Sequence, residues 1–352
     1  FFRGNFRGTK GWQKMMNDKG YNPAPMWTLV GGTLSNAIPT SSYGGMLALA
    51  SIDLALMALA AGFLVWAFGP RAMLFMALVL FTQYVSSHTH MKGSFMRMDW
   101  IIALIIAACL IKKDYWKTAG VLLGWAACSR IFPAVFGFGI GAKLLWDLVL
   151  KRKLNRQYLE FLVACGVTVV VMAAASWLYT GTEYWREFLT KIGDHNDDIS
   201  PWRVGFKYVW LLSYQGGNLA LQYENSMLAF RAIQAAVLLL SVGLVRKLDN
   251  FEAFCFGIVP MFLLVAPTYY YYIVVLMPAL FFISKMDLPS RAVGVGLVFV
   301  EGMLAHYGHA VWDRTAPQFF AISVMMMILI VYLMVLSGLR LREQEIQPPA
   351  AA

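Results

Sequence analysis

After a polar and aromatic opening stretch, the chain becomes a succession of apolar runs. They cover residues 45–68, 72–88, 99–111, 118–128, 133–149, 157–179, 226–245, 251–267, 270–285, 290–305 and 318–338. A helix needs about 20 apolar residues to cross a hydrocarbon layer of about 30 Å. Lipid offers no partner for peptide groups, so a span satisfies its own backbone as a helix. The expected fold is all-α: a polytopic transmembrane helical bundle of roughly ten or more crossing segments, with short broken helices and interfacial loops on the outer face. Residues 1–44 carry Tyr21-Asn22-Pro23-Ala24-Pro25 and Ile38-Pro39, turn chemistry that predicts an outer-face loop. Residues 45–340 then form one transmembrane domain with a long outer loop at 180–225, and 341–352 form a cytoplasmic tail. Within the long loop, Trp185, Arg186, Phe188, Leu189 and Ile192 predict an amphipathic helix lying in the interface, and Gln215-Gly216-Gly217-Asn218 predicts a turn.

Charge sorts the connections into two sets. Arg71, Lys112-Lys113 with Lys117, Lys151-Arg152-Lys153 with Arg156, Arg246-Lys247, Lys285 with Arg291, and Arg340 with Arg342 lie in short basic loops. The positive-inside rule makes these cytoplasmic. The other set, at 1–44, 89–98, 180–225, Thr268-Tyr269 and 306–317, holds acids, histidines and aromatics and goes outside. The two sets alternate along the chain, as a polytopic path requires.

Alternation nearly fails at one place. Residues 118–149 are almost continuously apolar, yet both flanks are strongly basic. A hairpin of two short helices turning at Ser129-Arg130-Ile131-Phe132-Pro133 resolves this, because proline breaks a helix and keeps its predecessor out of the α region. Arg130 then sits at the outer tip. Short helices at membrane depth line protein or a watery cavity, so a polar cavity is expected near residues 88–99 and Arg130.

Composition agrees with a membrane bundle: 59% of residues are hydrophobic and 14% charged, against about 25% charged in soluble domains. The net charge of +10 would raise nucleic-acid binding in a soluble chain. Here the basic residues punctuate apolar runs and read as topology signals and contacts to membrane lipids, so no nucleic-acid partner is expected. Cys109, Cys128, Cys165 and Cys255 lie inside apolar stretches as small buried side chains.

An ionisable residue at membrane depth is a functional candidate, and Arg130 stands out because a guanidinium clamps phosphate bidentately. Asp194, His195, Asp197 and Asp198 are candidates for acid–base work or a divalent cation, against a solvated turn. His88 and His90 have a spacing that suits two ligands from a strand. His306 and His309, with Glu301 within two turns, read mainly as an interfacial polar face. Tyr269, Tyr270, Tyr271 and Tyr272 mark a membrane boundary, either as an aromatic belt or as a platform for a sugar ring or headgroup.

Several segments taken in order resemble a known family. Ala119-Gly120 through Gly124 to Ser129-Arg130-Ile131-Phe132-Pro133 is similar to a segment of bacterial polyprenyl-phosphate-dependent glycosyltransferases of the GT-C superfold, the mannosyl- and arabinofuranosyl-transferase-like integral membrane proteins. Arg130 stands where that family usually has lysine. Ala266-Pro267-Thr268-Tyr269 to Leu276-Met277-Pro278-Ala279-Leu280 resembles a late helix of the family, Asn196 matches an outer-face segment, and Tyr21–Pro25 resembles an early loop.

The resemblance implies a GT-C-type bundle in a bacterial cytoplasmic (inner) membrane, with the C-terminus cytoplasmic. It implies transfer of a sugar from a polyprenyl-phosphate donor to an outer-face acceptor. In that picture Arg130, with Lys92 and Arg97, holds the donor phosphate. His88, His90, Asn196, Tyr269 and Tyr270 contact substrate, and an outer aspartate is the base. The family's base follows its first transmembrane helix, and here both would precede Phe1. Asp18 is the acid available in the opening loop. The family's Gly-Gln pair reads Lys92-Gly93-Ser94 here. No certain cofactor is implied, a divalent cation remaining an option. These departures leave a second expectation, a non-catalytic scaffold subunit with membrane-protein partners. A transporter ranks behind both, because no internal symmetry is visible.

Overall fold

The computed structural model describes residues 23–84, 95–197, 203–212, 218–312 and 316–346. The described chain is a helical bundle whose only strand-like contact is one isolated bridge between Arg203 and Thr268. Its helices are α1 (Pro25–Ala37), α2 (Tyr43–Phe68), α3 (Pro70–Thr82), α4 (Asp99–Lys112), α5 (Trp116–Ser129), α6 (Phe138–Lys151), α7 (Arg156–Asp197), α8 (Phe206–Leu212), α9 (Leu219–Leu244), α10 (Asn250–Cys255), α11 (Ile258–Leu264), α12 (Leu276–Ile283), α13 (Pro289–Trp312) and α14 (Ala316–Ile346). Short 3-10 turns at Phe132–Gly137, Val245–Lys247 and Tyr269–Val275 join some of them.

Among the described residues, five helical stretches are long and apolar enough to cross a membrane: Tyr43–Phe68, Phe132–Lys151, Arg156–Gly193, Leu219–Lys247 and Ala316–Leu339. The remaining apolar runs form shorter or less apolar helices, fewer full-length spans than the hydropathy pattern alone suggests. The reason lies in α4. Its residues from Asp99 to Ile111 are all buried, so this helix is apolar because it lies at the centre of the bundle, ringed by protein. At 1.5 Å per residue it is only about 21 Å long.

The reversal at Pro133 is present. Helix α5 runs to Ser129, Arg130 takes an extended conformation (φ −146°, ψ 119°), and the 3-10 turn at Phe132–Gly137 feeds α6. Helix α7 then runs parallel to α5. A Cβ on Gly120 would lie 2.2 Å from the Phe161 carbonyl oxygen, and one on Gly124 would lie 2.7 Å from Thr168 Cβ. Small residues one turn apart thus let the two backbones meet.

The loops separated by charge gather at opposite ends of the bundle. Arg71 pairs with Asp287 at 2.6 Å, Lys117 with Glu160 at 3.8 Å and Lys285 with Asp249 at 2.6 Å. Lys112 lies over Phe251 and Arg246 over Trp146. All of these are at the basic end. At the Arg130 end, Trp27 Nε1 donates to the Met96 carbonyl, Tyr184 donates to the Pro23 carbonyl, and His306 Nε2 meets the Thr82 carbonyl at 3.1 Å.

Two stretches read as loop are partly helical. Residues 1–44 contain α1, which begins at Pro25, a residue whose fixed φ suits the first turn. The 180–225 region contains the second half of α7, all of α8 and the start of α9. Gly181 (φ 82°, ψ 167°) takes a non-helical conformation that divides α7 into two helices, and the second, running to Asp197, holds the amphipathic segment at 185–192. Asn218 accepts from the Ala220 and Leu221 N–H groups and starts α9 seven residues earlier than hydropathy suggests. Helices also run past the expected ends at both 306–317 and 341–352, α13 to Trp312 and α14 to Ile346.

Candidate functional site

The start of α4 and the end of α5 lie side by side at the Arg130 end, because a tight turn at Lys113–Tyr115 pairs the two helices antiparallel. Asp99 occupies the first turn of α4, where the helix dipole favours an anion, and Arg130 caps the C-terminus of α5, where it favours a cation. Arg130 Nη1 donates to the Ser129 carbonyl at 2.7 Å. Its guanidinium also lies 5.9 Å from the centre of the Trp27 ring, contributed by α1. Dipoles alone would justify both charges.

Their geometry goes further. Asp99 is 3% exposed, and both of its carboxylate oxygens, together with Arg130 Nε, are buried without a hydrogen-bond partner among the described residues. Arg130, the Ser129 hydroxyl and the Trp100 backbone N–H nevertheless lie close enough to favour the Asp99 charge, and Asp53 lies close enough to oppose it. Even so, no ion pair closes between Asp99 and Arg130. A buried polar group left unpaired costs about 1–3 kcal/mol, so native proteins keep such groups mainly where they have work to do.

A second carboxylate sets the floor of the site. Asp53 is buried in α2. It accepts from the backbone N–H of Arg97 at 2.9 Å and of Met98 at 3.3 Å. These bonds tie down the segment that enters α4, where Met96 adopts a positive φ of 46°. Asp53 lies ten residues into α2, about 15 Å from its start, so the site is recessed below the outer turn of that helix.

An apolar cavity of about 290 Å³ adjoins this floor between α2, α3 and α4, with Leu54, Met57, Met76, Leu80, Met98 and Ile102 among its walls. Met98 belongs to both places: its side chain lines the cavity and its N–H donates to Asp53. On the other side Trp100, Phe132 and Tyr271 form a cluster with ring centroids 5.0 to 6.0 Å apart.

Of the residues proposed from sequence, Arg130, Arg97 and Tyr270 come together here: Arg97 acts electrostatically on both Asp53 and Tyr270. Tyr269 meets Tyr270 edge-on at 5.8 Å and also packs against Tyr84 at 6.2 Å and Phe319 at 5.0 Å, so the tyrosine run links the recess to a second aromatic group. Tyr84 in turn packs against His306 and His309. Asn196 lies in the last turn of α7, and Asp194, His195 and Asp197 share that helix end. Asp18, His88, His90, Lys92 and Asp198 lie outside the described residues. No group of three or more His, Cys, Asp or Glu among the described residues is placed to hold a metal ion.

Asp53 and Asp99 are additions from the structure. The signal was available: Asp53 is the lone acid in an apolar run, and the reasoning that singled out Arg130 applies equally to it.

No family model matches the chain, and neither a curated protein nor a solved structure matches it.

Proposed function

We propose that this chain is a membrane glycosyltransferase that moves a sugar from a polyprenyl-phosphate donor to an acceptor hydroxyl at the Arg130 end. By the positive-inside rule, the basic end faces the cytoplasm and the site faces outward; in a bacterial cell the membrane is the cytoplasmic one. The observation that carries the reading is the open pair: a buried acid and a half-buried guanidinium share one recess without forming an ion pair, beside an apolar cavity. A lipid-linked phosphosugar has matching parts, an apolar chain and a charged phosphate next to the reacting carbon.

In this mechanism the acceptor oxygen attacks the anomeric carbon as the carbon–oxygen bond to phosphate breaks. The acceptor proton passes to the Asp99 carboxylate, acting as general base. The departing polyprenyl phosphate carries the released electron pair, and Arg130 stabilises its charge in a site of low dielectric. Asp53 holds its two backbone donors and so serves as a positioning residue. Trp27 walls the phosphate side, and Tyr270 with Arg97 stands at the sugar side.

Titrating polyprenyl phosphate into purified protein tests the phosphate assignment. Arg130→Ala should weaken binding by roughly 10- to 100-fold, the worth of a charge-assisted hydrogen bond, and Arg130→Lys should keep part of it. Equal affinity in wild type and Arg130→Ala would remove Arg130 from the site.

A further inference from the structure

Three consecutive residues at the end of α3, Thr82, Gln83 and Tyr84, all lie against α13. His306 Nε2 of α13 meets the Thr82 carbonyl at 3.1 Å. Gln83 Nε2 donates to the Val298 carbonyl at 3.1 Å, and the same amide stands against the Glu301 carboxyl. Tyr84 packs edge-on against His306 with ring centroids 5.5 Å apart, and 5.0 Å from His309. Gly302 makes room for this seam, since a Cβ there would lie 2.8 Å from Gln83 Nε2. The acid and the two histidines that stand out in the α13 sequence thus form one unit with the end of α3.

Glu301 is the member of this unit that the fold leaves open. It is 4% exposed, and its Oε2 is buried with no hydrogen-bond partner among the described residues. Arg291, at the basic end of the same helix, lies ten residues away, about 15 Å at the helical rise. Glu301 therefore sits near the middle of a hydrocarbon layer of about 30 Å.

The elements packed on α13 bring it no cation. Helix α12 has no ionisable side chain, and α14 has only Tyr332 between Ala316 and Leu339, bonded to the Ser290 carbonyl at the basic end. Helix α3 has only Arg71, paired with Asp287 at the basic end. Tyr272 faces the acid from the 3-10 turn at Tyr269–Val275, and a phenol carries no positive charge. On α13 itself Arg291 is engaged by Glu252, Tyr307 is exposed, and His306 and His309 stand one to two turns nearer the Arg130 end. Glu252, the other buried glutamate, has two cations within 3 Å. A carboxylate in an apolar surround with no countercharge takes up a proton rather than keep its charge, and an acid at this depth is a candidate for function.

We propose that Glu301 is a proton-binding site inside the membrane, and that its proton keeps the α3–α13 seam closed. As a neutral acid it packs against the Gln83 amide. Loss of the proton leaves a bare charge between α3, α12 and α14 and loosens the end of α3. The site shares no residue with the Asp99–Arg130 recess, so the inference stands whether or not the chain transfers sugar.

The test is infrared spectroscopy of the purified full chain in detergent at neutral pH, in light and heavy water. Wild type should show the carbonyl stretch of a protonated carboxylic acid, shifted by deuterium. Glu301→Gln replaces a neutral acid by a neutral amide of the same shape, so it should fold and lose that band, whereas Asp99→Asn should retain it. If Glu301→Gln does not fold, Glu301→Asp makes the assignment by moving the band. A wild-type spectrum without the band, or a band unchanged in both Glu301 variants, would overturn the site. Thermal unfolding tests the seam. A proton bound more tightly by the folded chain than by the unfolded chain makes stability fall as pH rises. The wild-type midpoint should therefore fall, relative to that of Glu301→Gln, over the pH range in which the band disappears. Parallel midpoints across that range would overturn the proton's hold on the seam.

Discussion

Two charge clusters, each built around a buried acid, occupy opposite ends of the bundle, and they are built differently. At the basic end, Glu252 is fully buried and closed on every side. Arg291 Nη2 reaches it at 2.7 Å and Lys285 Nζ at 2.9 Å, and the Asp249 N–H donates to its other oxygen in a capping box. Arg291 also donates to the Phe281 carbonyl and lies over the Phe281 ring at 3.8 Å. At the other end, Asp99 and Arg130 share a recess and stay apart. One cluster has spent its hydrogen-bonding capacity on the fold, tying α10 to α12 and α13. The other retains capacity that a ligand with the right charges can use. Burial and charge alone would have ranked Glu252 as the stronger functional candidate, and it is the pairing that separates the two.

Substitutions should fall on opposite sides of this divide. Glu252→Ala carries the largest expected effect on folding: it strands Arg291 and Lys285 in the core and should cost about 3–5 kcal/mol, read as lost folded yield or a lowered unfolding midpoint. Replacing Glu252 and Arg291 together by Met and Leu should recover most of that loss. If the double variant is as unstable as the single, the network does more than balance charge.

Asp99→Asn should behave in the opposite way. It removes a buried charge that no ion pair holds, so stability should hold or rise by about 1 kcal/mol, while transfer falls by at least about 100-fold with loss of the base. A variant that unfolds would place Asp99 with Glu252 as a structural residue. Arg71→Ala carries the smallest effect. Its partner Asp287 is 81% exposed, and a solvated pair of this kind is worth less than about 1 kcal/mol, so its unfolding curve should overlay that of wild type.

The apolar runs were readable because each is a local property, and those at 45–68, 99–111 and 118–128 match α2, α4 and α5 within two residues at each end. The break at Pro133 was readable for the same reason, and with it the position of Arg130. The recess was only half legible. Asp53 bonds to the backbone 44 residues later, and Asp99 meets Arg130 across the α4–α5 hairpin, and no periodicity reports such partners. Asp99 also stands at the edge of its run beside polar sequence, where an acid reads as the end of a loop. Helix α1 was hidden by Pro23, Pro25 and Pro39, which signal turns yet here bracket a helix. The kink at Gly181 was hidden because a glycine beside Thr180 and Thr182 reads as the start of a loop. The tyrosine run looked uniform, and only its 3-10 geometry sets Tyr269 against Phe319 while Tyr270 packs on Tyr271.

The most direct test is a transfer assay with the purified full chain in lipid vesicles, supplied with a radiolabelled polyprenyl-phosphate sugar and a mixture of hydroxyl acceptors. Wild type should release polyprenyl phosphate and label an acceptor, while Asp99→Asn and Arg130→Ala, both folded, should do neither. Transfer at the wild-type rate by either variant would contradict the site. A folded wild type that binds polyprenyl phosphate and never turns it over would contradict the enzyme, and leave a lipid-binding scaffold in its place.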